Sequence, residues 1–162
     1  MIVDYKQIPE DAKLWVFPSS RKFYPQEIAG LKQKIEEFLT EWDDQEILLK
    51  CSYSIKYDRF IVITVDDTKN SLSLEAHDLL ITFIQELEKI FEIILLDKMN
   101  VCYKQGEFVQ YKDLIEFKKM MKNKGVSQKT IVFNNMITTK AELKYNWEIN
   151  IMDSWLGRFL KK

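Results

Sequence analysis

Glycine is scarce in this chain. Gly30, Gly106, Gly125 and Gly157 are the four among 162 residues, and each is isolated. Neither GxxxxGK[ST] nor GxGxxG occurs, which excludes nucleotide hydrolysis on a backbone phosphate cradle. Histidine is scarcer still: His77 stands alone. The two cysteines, Cys51 and Cys102, lie far apart and form no CxxC pair, so the common zinc ligand sets are missing. Two cysteines are also too few for a disulfide framework. No apolar run approaches the ~18 residues of a bilayer-spanning helix. The longest runs, Ile93-Ile94-Leu95-Leu96 among them, are strand-sized. Met1-Ile2-Val3-Asp4-Tyr5 lacks the basic and apolar regions of a secretory signal. The expectation is a soluble cytoplasmic protein with reduced thiols, no membrane insertion, no cofactor and no metal.

Arginine is limited to Arg21, Arg59 and Arg158, and 24 basic residues balance 25 acidic ones. That balance offers no general attraction to nucleic acid or anionic lipid. Three prolines, no low-complexity stretch and no repeat argue for one domain over residues 1–162. Its core is expected over about 11–111, with a C-terminal addition over about 112–162. Hydrophobic residues are 46% and aromatics 13%, enough for an aromatic core in a chain that buries roughly 70% of its unfolded surface.

Lys13-Leu14-Trp15-Val16-Phe17 reads as a buried strand stopped by Pro18. Pro25 opens a helix with Ile28, Leu31, Ile35, Phe38, Leu39 and Trp42 at helical spacing. Residues 46–56 and 58–66 read as two strands joined at Tyr57-Asp58. Ser73 caps a second helix whose buried face carries Leu80, Phe83, Ile84, Leu87, Ile90 and Phe91. Val101–Tyr103 and Glu107–Tyr111 suggest a hairpin. A short helix from Asp113 to Asn123 leaves through Gly125, and Thr130–Phe133 forms a strand. Thr139 with Glu142 makes a capping box. It is expected to open a long final helix bearing Leu143, Trp147, Ile151, Trp155 and Phe159 at steps of four. The order β-α-β-β-α-β predicts an α+β, ferredoxin-like (split βαβ) antiparallel sheet with helices on one face, extended by a C-terminal strand and helix.

His77 is a weak catalytic candidate; its plainer reading is a half-buried helix residue. Asp58-Arg59 reads as an anion site or, more plainly, as an arginine paired with a neighbouring acid. Asp66-Asp67 reads as a cation site or as a solvated strand end. Residues 112–129 carry six lysines against Asp113 and Glu116, and Glu75, Asp78, Glu86, Glu88, Glu92 and Asp97 gather around the second long helix. Such patches steer partners or pair two copies, though most are solvated helix faces. The final segment is the most informative. Its apolar arc is wider than one contact needs, so the part near Trp155 and Phe159 is either an exposed partner surface or the inside of a closing helix.

Several pieces together resemble a small family from Bacteroidota whose members often carry the automatic label "ABC transporter ATPase". They are Leu14-Trp15-Val16-Phe17 with Ser20-Arg21; Asp58-Arg59-Phe60-Ile61-Val62 with Val65-Asp66; Asp97-Lys98-Met99-Asn100; Thr130–Asn135; and Asp153-Ser154-Trp155-Leu156-Gly157-Arg158-Phe159. The resemblance spans nearly the whole chain and implies no catalytic residue. Its ATPase label conflicts with the missing phosphate loop. It also implies a Gly-Cys-Ser turn before the second long helix, where this chain reads Leu74-Glu75-Ala76-His77-Asp78.

Three functions follow. The first is a non-enzymatic protein-interaction module, alone or as a homodimer, with Trp155, Arg158, Phe159, Lys118, Lys119 and Lys122 as partner-binding candidates. The second is a ligand-binding protein or enzyme with a pocket between sheet and helices, lined by Trp15, Tyr53, Tyr103 and His77. The third is RNA or ribosome association through 112–129.

Overall fold

A computed structural model describes residues 1–160 of the chain. Two antiparallel sheets stack face to face, and helices cover both outer sides.

The first sheet is built from β1 (Lys13–Pro18), β4 (Cys51–Lys56) and β5 (Phe60–Val65), in the order β1-β5-β4. Each neighbouring pair runs antiparallel over six residue pairs. Helix α1 (Pro25–Glu41) connects β1 to this hairpin, and helix α2 (Leu74–Phe91) follows β5. Strand alternation sorts the side chains. Trp15, Phe17, Ile61, Ile63 and Val65 point to one face, where Leu31, Ile35 and Leu39 of α1 and Leu80, Ile84 and Leu87 of α2 cover them. Leu14, Val16, Phe60 and Val62 point to the other face.

That other face meets the second sheet. It contains β6 (Val101–Gln105), β7 (Phe108–Lys112), β8 (Ile131–Phe133) and β9 (Glu148–Asn150), in the order β7-β6-β8-β9. Cys102, Phe133 and Trp147 pack inward against Phe60 and Val62. Val101, Tyr103 and Val132 point outward and are covered by Phe117 and Met121 of α3 (Leu114–Lys122) and by Ile151 and Leu156. The layers run helix, sheet, sheet, helix.

Four expectations change. The strand at 101–105 does not join β1 to complete a four-stranded ferredoxin-like sheet; it founds the second sheet. The open edge of β1 is met instead by residues 138–140, with Leu14 N–H donating to Thr138 O at 2.9 Å and Lys140 N–H to Ala12 O at 2.9 Å. The strand expected at 46–56 is broken. Gln45 and Glu46 adopt φ of 55° and 69° and close a small hairpin of β2 (Asp43–Asp44) and β3 (Ile47–Leu48) before β4 begins at Cys51. Gly125 is not the left-handed residue after α3. Lys124 is, at φ 60°, and Gly125 N–H closes the motif on Met120 O at 2.8 Å.

The long final helix does not form. Helix α4 covers only Lys140–Tyr145, then β9 pairs with β8, and two 3₁₀ turns follow at Ile151–Asp153 and Trp155–Phe159. Steps of four fit a helix, but Asn146 and Asn150 are poor helix formers, and the edge of β8 supplies the hydrogen bonds. Trp147 faces the sheet interface, and Ile151 faces the side covered by α3. Asn150 and Ser154 then cap the two turns, each side-chain oxygen accepting from the backbone N–H two residues on.

The tight connection at Tyr57-Asp58 is present, with φ of 56° and 48°. A tyrosine in that region is strained. Tertiary packing holds it: the Tyr57 ring lies against Phe60, Phe133 and Trp147. Its hydroxyl donates to Glu148 at 2.9 Å, and Glu148 also pairs with Lys104.

Candidate functional site

Helix α3 starts at Asp113, whose carboxylate accepts Glu116 N–H at 2.8 Å. Phe117 and Met121 bury one side. Ile115, Lys118, Lys119 and Lys122 then share the opposite side by helical spacing, with Ile115 70% exposed. Beside this helix the 3₁₀ turn places Trp155, 48% exposed, and Phe159, 40% exposed. The turn stands this way because Leu156 and Gly157 face inward. A Cβ on Gly157 would lie 2.9 Å from both Cα and O of Met152, so only glycine allows the approach.

The two rings are edge to face at 6.2 Å between centroids. The Arg158 guanidinium stands 5.9 Å from the Trp155 centroid and 4.9 Å from that of Phe159. The Lys118 ammonium stands 4.9 Å from the Phe159 centroid. Among the described residues neither cation has a carboxylate within 4 Å. The structure therefore joins Trp155, Arg158, Phe159 and Lys118. Lys119 and Lys122 are exposed on the same face of α3. Ile115 was missed by sequence reading, although one apolar residue among lysines at spacings of three, four and seven is its signal.

A cleft of about 150 Å³ opens next to Trp155, lined among others by Lys98, Met99, Asn100, Asn135 and Met136. Burial lowers the Lys98 pKa, and its ammonium sits 5.4 Å from the Phe17 centroid.

The pocket expected around His77 is not assembled. His77 is half-buried on α2, its ring 6.0 Å from Trp15. Trp15 is packed in the core against Trp42. Tyr53 donates from its hydroxyl to Glu36 at 2.8 Å; burial first, then that carboxylate, pushes its pKa up to about 12. Tyr103 lies in the second sheet, facing α3 rather than α1 and α2. The space between the first sheet and its helices is filled by side chains.

Asp66 and Asp67 serve the backbone. Asp66 accepts from Thr68, and Asp67 accepts Lys13 N–H at 3.2 Å. No group of three or more metal-ligating side chains that could hold an ion occurs among the described residues. Both thiols are buried, and burial raises both pKa values, Cys102 to about 12. Arg59 is buried but, contrary to expectation, pairs with no acid among the described residues; its Nη1 donates to Ser19 O at 3.1 Å. No helix among the described residues is long and apolar enough to cross a membrane.

No protein-family model, curated protein or solved structure matches this chain.

Proposed function

We propose that this protein acts by binding another protein, without catalysis, through the face formed by Ile115, Lys118, Lys119 and Lys122 of α3 with Trp155, Arg158 and Phe159. The observation that carries the reading is the pair of half-exposed aromatic rings under two cations that have no carboxylate partner among the described residues. Aromatic and arginine side chains dominate the energetics of protein interfaces. Four cations set among Ile115, Trp155 and Phe159 call for an acidic partner. A two-fold dimer through this face would set Lys118, Lys119, Lys122 and Arg158 against their own copies, and like charges oppose that contact. The partner is therefore a different, acidic protein surface with an apolar anchor.

A cytoplasmic setting and kinship with the Bacteroidota family belong to the same proposal. So does a finer reading of the fold, in which β1, α1, β4, β5 and α2 are a ferredoxin-like unit without its fourth strand.

The test is a titration with a synthetic amphipathic helical peptide carrying glutamates beside leucines, and with its lysine-for-glutamate counterpart. The glutamate peptide is expected to bind, more weakly in added salt. Trp155→Ala with Arg158→Glu is expected to lower the affinity about 30-fold, the size of a hot-spot loss. Equal binding of both peptides, or an unchanged affinity in the variant, overturns the proposal. A dimer of the free chain in sedimentation replaces the acidic partner with a second copy. Tighter binding of a single-stranded RNA, lost steeply with salt, replaces it with nucleic acid.

A further inference from the structure

A cavity of about 540 Å³ lies where four stretches of chain meet. They are the 3₁₀ turn at Tyr5–Gln7, the turn between β4 and β5, helix α4 and the start of β9. Its size falls within the roughly 300–1,000 Å³ of small-molecule sites. Tyr5, Tyr57, Leu143 and Trp147 supply the apolar lining, and Lys56, Lys144 and Glu148 supply the charges.

The two tyrosines are held in place and yet left open. Lys140 is 7% exposed, and its Nζ donates to Tyr5 O at 2.8 Å and to Ile8 O at 2.7 Å. The same ammonium stands 4.3 Å from the Tyr5 centroid. One buried cation thus holds both the backbone and the ring of Tyr5, which remains 39% exposed. Tyr57 sits at φ 56°, where glycine or asparagine turns the chain at lower cost. Contacts with Phe133 and Trp147 and the bond to Glu148 keep it there, and it stays 41% exposed. Backbone strain of this kind collects at ligand sites.

The charges of the cavity are unequally engaged. Glu148 accepts from the Tyr57 hydroxyl at 2.9 Å and pairs with Lys104. Lys56 and Lys144 have no carboxylate within 4 Å among the described residues. The uncompensated charge of the lining is therefore positive. Aromatic walls also suit a quaternary ammonium, but such a guest meets two lysines here.

We propose that this cavity binds a small aromatic anion, with its ring against Tyr5 and Tyr57 and its anionic group at Lys56 and Lys144. Aromatic rings attract one another edge to face or offset, and a lysine ammonium is a point charge that takes a phosphate or a carboxylate. Two ammonium groups attract a doubly charged phosphate more strongly than a singly charged carboxylate. The cavity shares no residue with the partner face and does not depend on it.

The test is an amide NMR titration of the full chain with phenyl phosphate, benzoate, phenol and inorganic phosphate at matched ionic strength. Phenyl phosphate is expected to give saturable shifts at Tyr5, Tyr57, Lys144 and Glu148. Its midpoint is expected about tenfold below those of phenol and inorganic phosphate, because each lacks half of the contacts. Lys144 is exposed, so Lys144→Gln leaves the core intact; it is expected to raise the phenyl phosphate midpoint about tenfold and the inorganic phosphate midpoint with it. Tyr5→Leu is expected to raise the first several-fold and leave the second unchanged. A benzoate midpoint at or below that of phenyl phosphate keeps the aromatic-anion site and makes carboxylate its group. Phenol or inorganic phosphate matching phenyl phosphate overturns the proposal. So do midpoints unchanged in both variants, no saturation with any probe, or shifts confined to the lysines of α3.

Discussion

The two sheets of this protein are built to different standards. In the first, β5 is paired over six residues on each side, and a continuous apolar layer from α1 and α2 covers it. In the second, β6 and β7 share five residue pairs, but β6 meets β8 at the single pair Tyr103–Val132, and β8 and β9 are three residues long. Short strands gain little from their own ladder. What holds the second sheet is packing: Phe133 and Trp147 against Phe60 on one side, and Phe117, Met121 and Ile151 on the other. Local pairing organises the first half, and docking organises the second.

Two buried tryptophans test that contrast most strongly. Trp42 donates from Nε1 to Ala76 O at 3.0 Å and locks α1 to α2. Trp147 donates to Asn135 Oδ1 at 2.9 Å and locks β9 onto the sheet interface. Replacing either with alanine is expected to cost about 3–5 kcal/mol. Trp42→Ala should keep one unfolding transition in urea. Trp147→Ala should split it, because the second sheet undocks while the first persists. Coincident circular dichroism and fluorescence curves for Trp147→Ala would erase the distinction.

Two glycines sharpen it at a smaller scale. Gly157→Ala drives a Cβ into the Met152 backbone and should cost about 1–3 kcal/mol. Gly30 lies inside α1 with nothing within 4 Å of a built Cβ. Gly30→Ala should stabilise by about 0.5–1 kcal/mol, because alanine loses less backbone freedom in a helix. Chemical denaturation measures both. A neutral Gly157→Ala would show that the last turn is loosely placed.

The smallest effect concerns the polar clamp on the helical side. Arg21 pairs with Glu27 in a fork at 2.8 and 3.1 Å and also donates to Phe91 O at 2.8 Å. The Arg21 hydrogen bond, above all, holds the Glu27 pKa below its ordinary value. A carboxyl with a lowered folded pKa stabilises the fold above its unfolded pKa of about 4.3, and the gain is lost as pH falls through the folded value. Glu27→Gln should therefore cost about 0.5–1 kcal/mol at pH 7, after allowing for solvent screening of a surface-side pair. It should cost less at pH 3 than at pH 7. Stability curves at the two pH values check this, and an equal cost at both would assign the effect to packing.

The legible parts of the sequence share one property: their signals are local. Pro25 with its apolar period marked α1, Ser73 marked the start of α2, and Ile61–Val65 marked β5, each within a residue or two of where the structure has them. For Trp155 and Phe159 the sequence left two readings open, an exposed surface or the inside of a closing helix, and the structure exposes both. The element that carries them was not legible. Trp147, Ile151, Trp155 and Phe159 at steps of four satisfy a helix, but the open edge of β8 takes 148–150 as a strand and the rest turns in two 3₁₀ segments. Arg59 shows the same limit: whether an acid faces it depends on strands from both sheets.

By itself, the sequence determined which residues are apolar, where helices and turns start, and that no GxxxxGK[ST] or CxxC motif occurs along the chain. Tertiary structure decided that residues 101–105 leave the first sheet, that the last apolar segment is strand and 3₁₀ turn, and that Arg59 is buried on the Ser19 carbonyl. Hydrophobic burial is proportional to area and carries no direction of its own, so a sequence states how much surface must be covered. Which strand or turn covers it is settled only when the edges and faces of the whole molecule compete for partners.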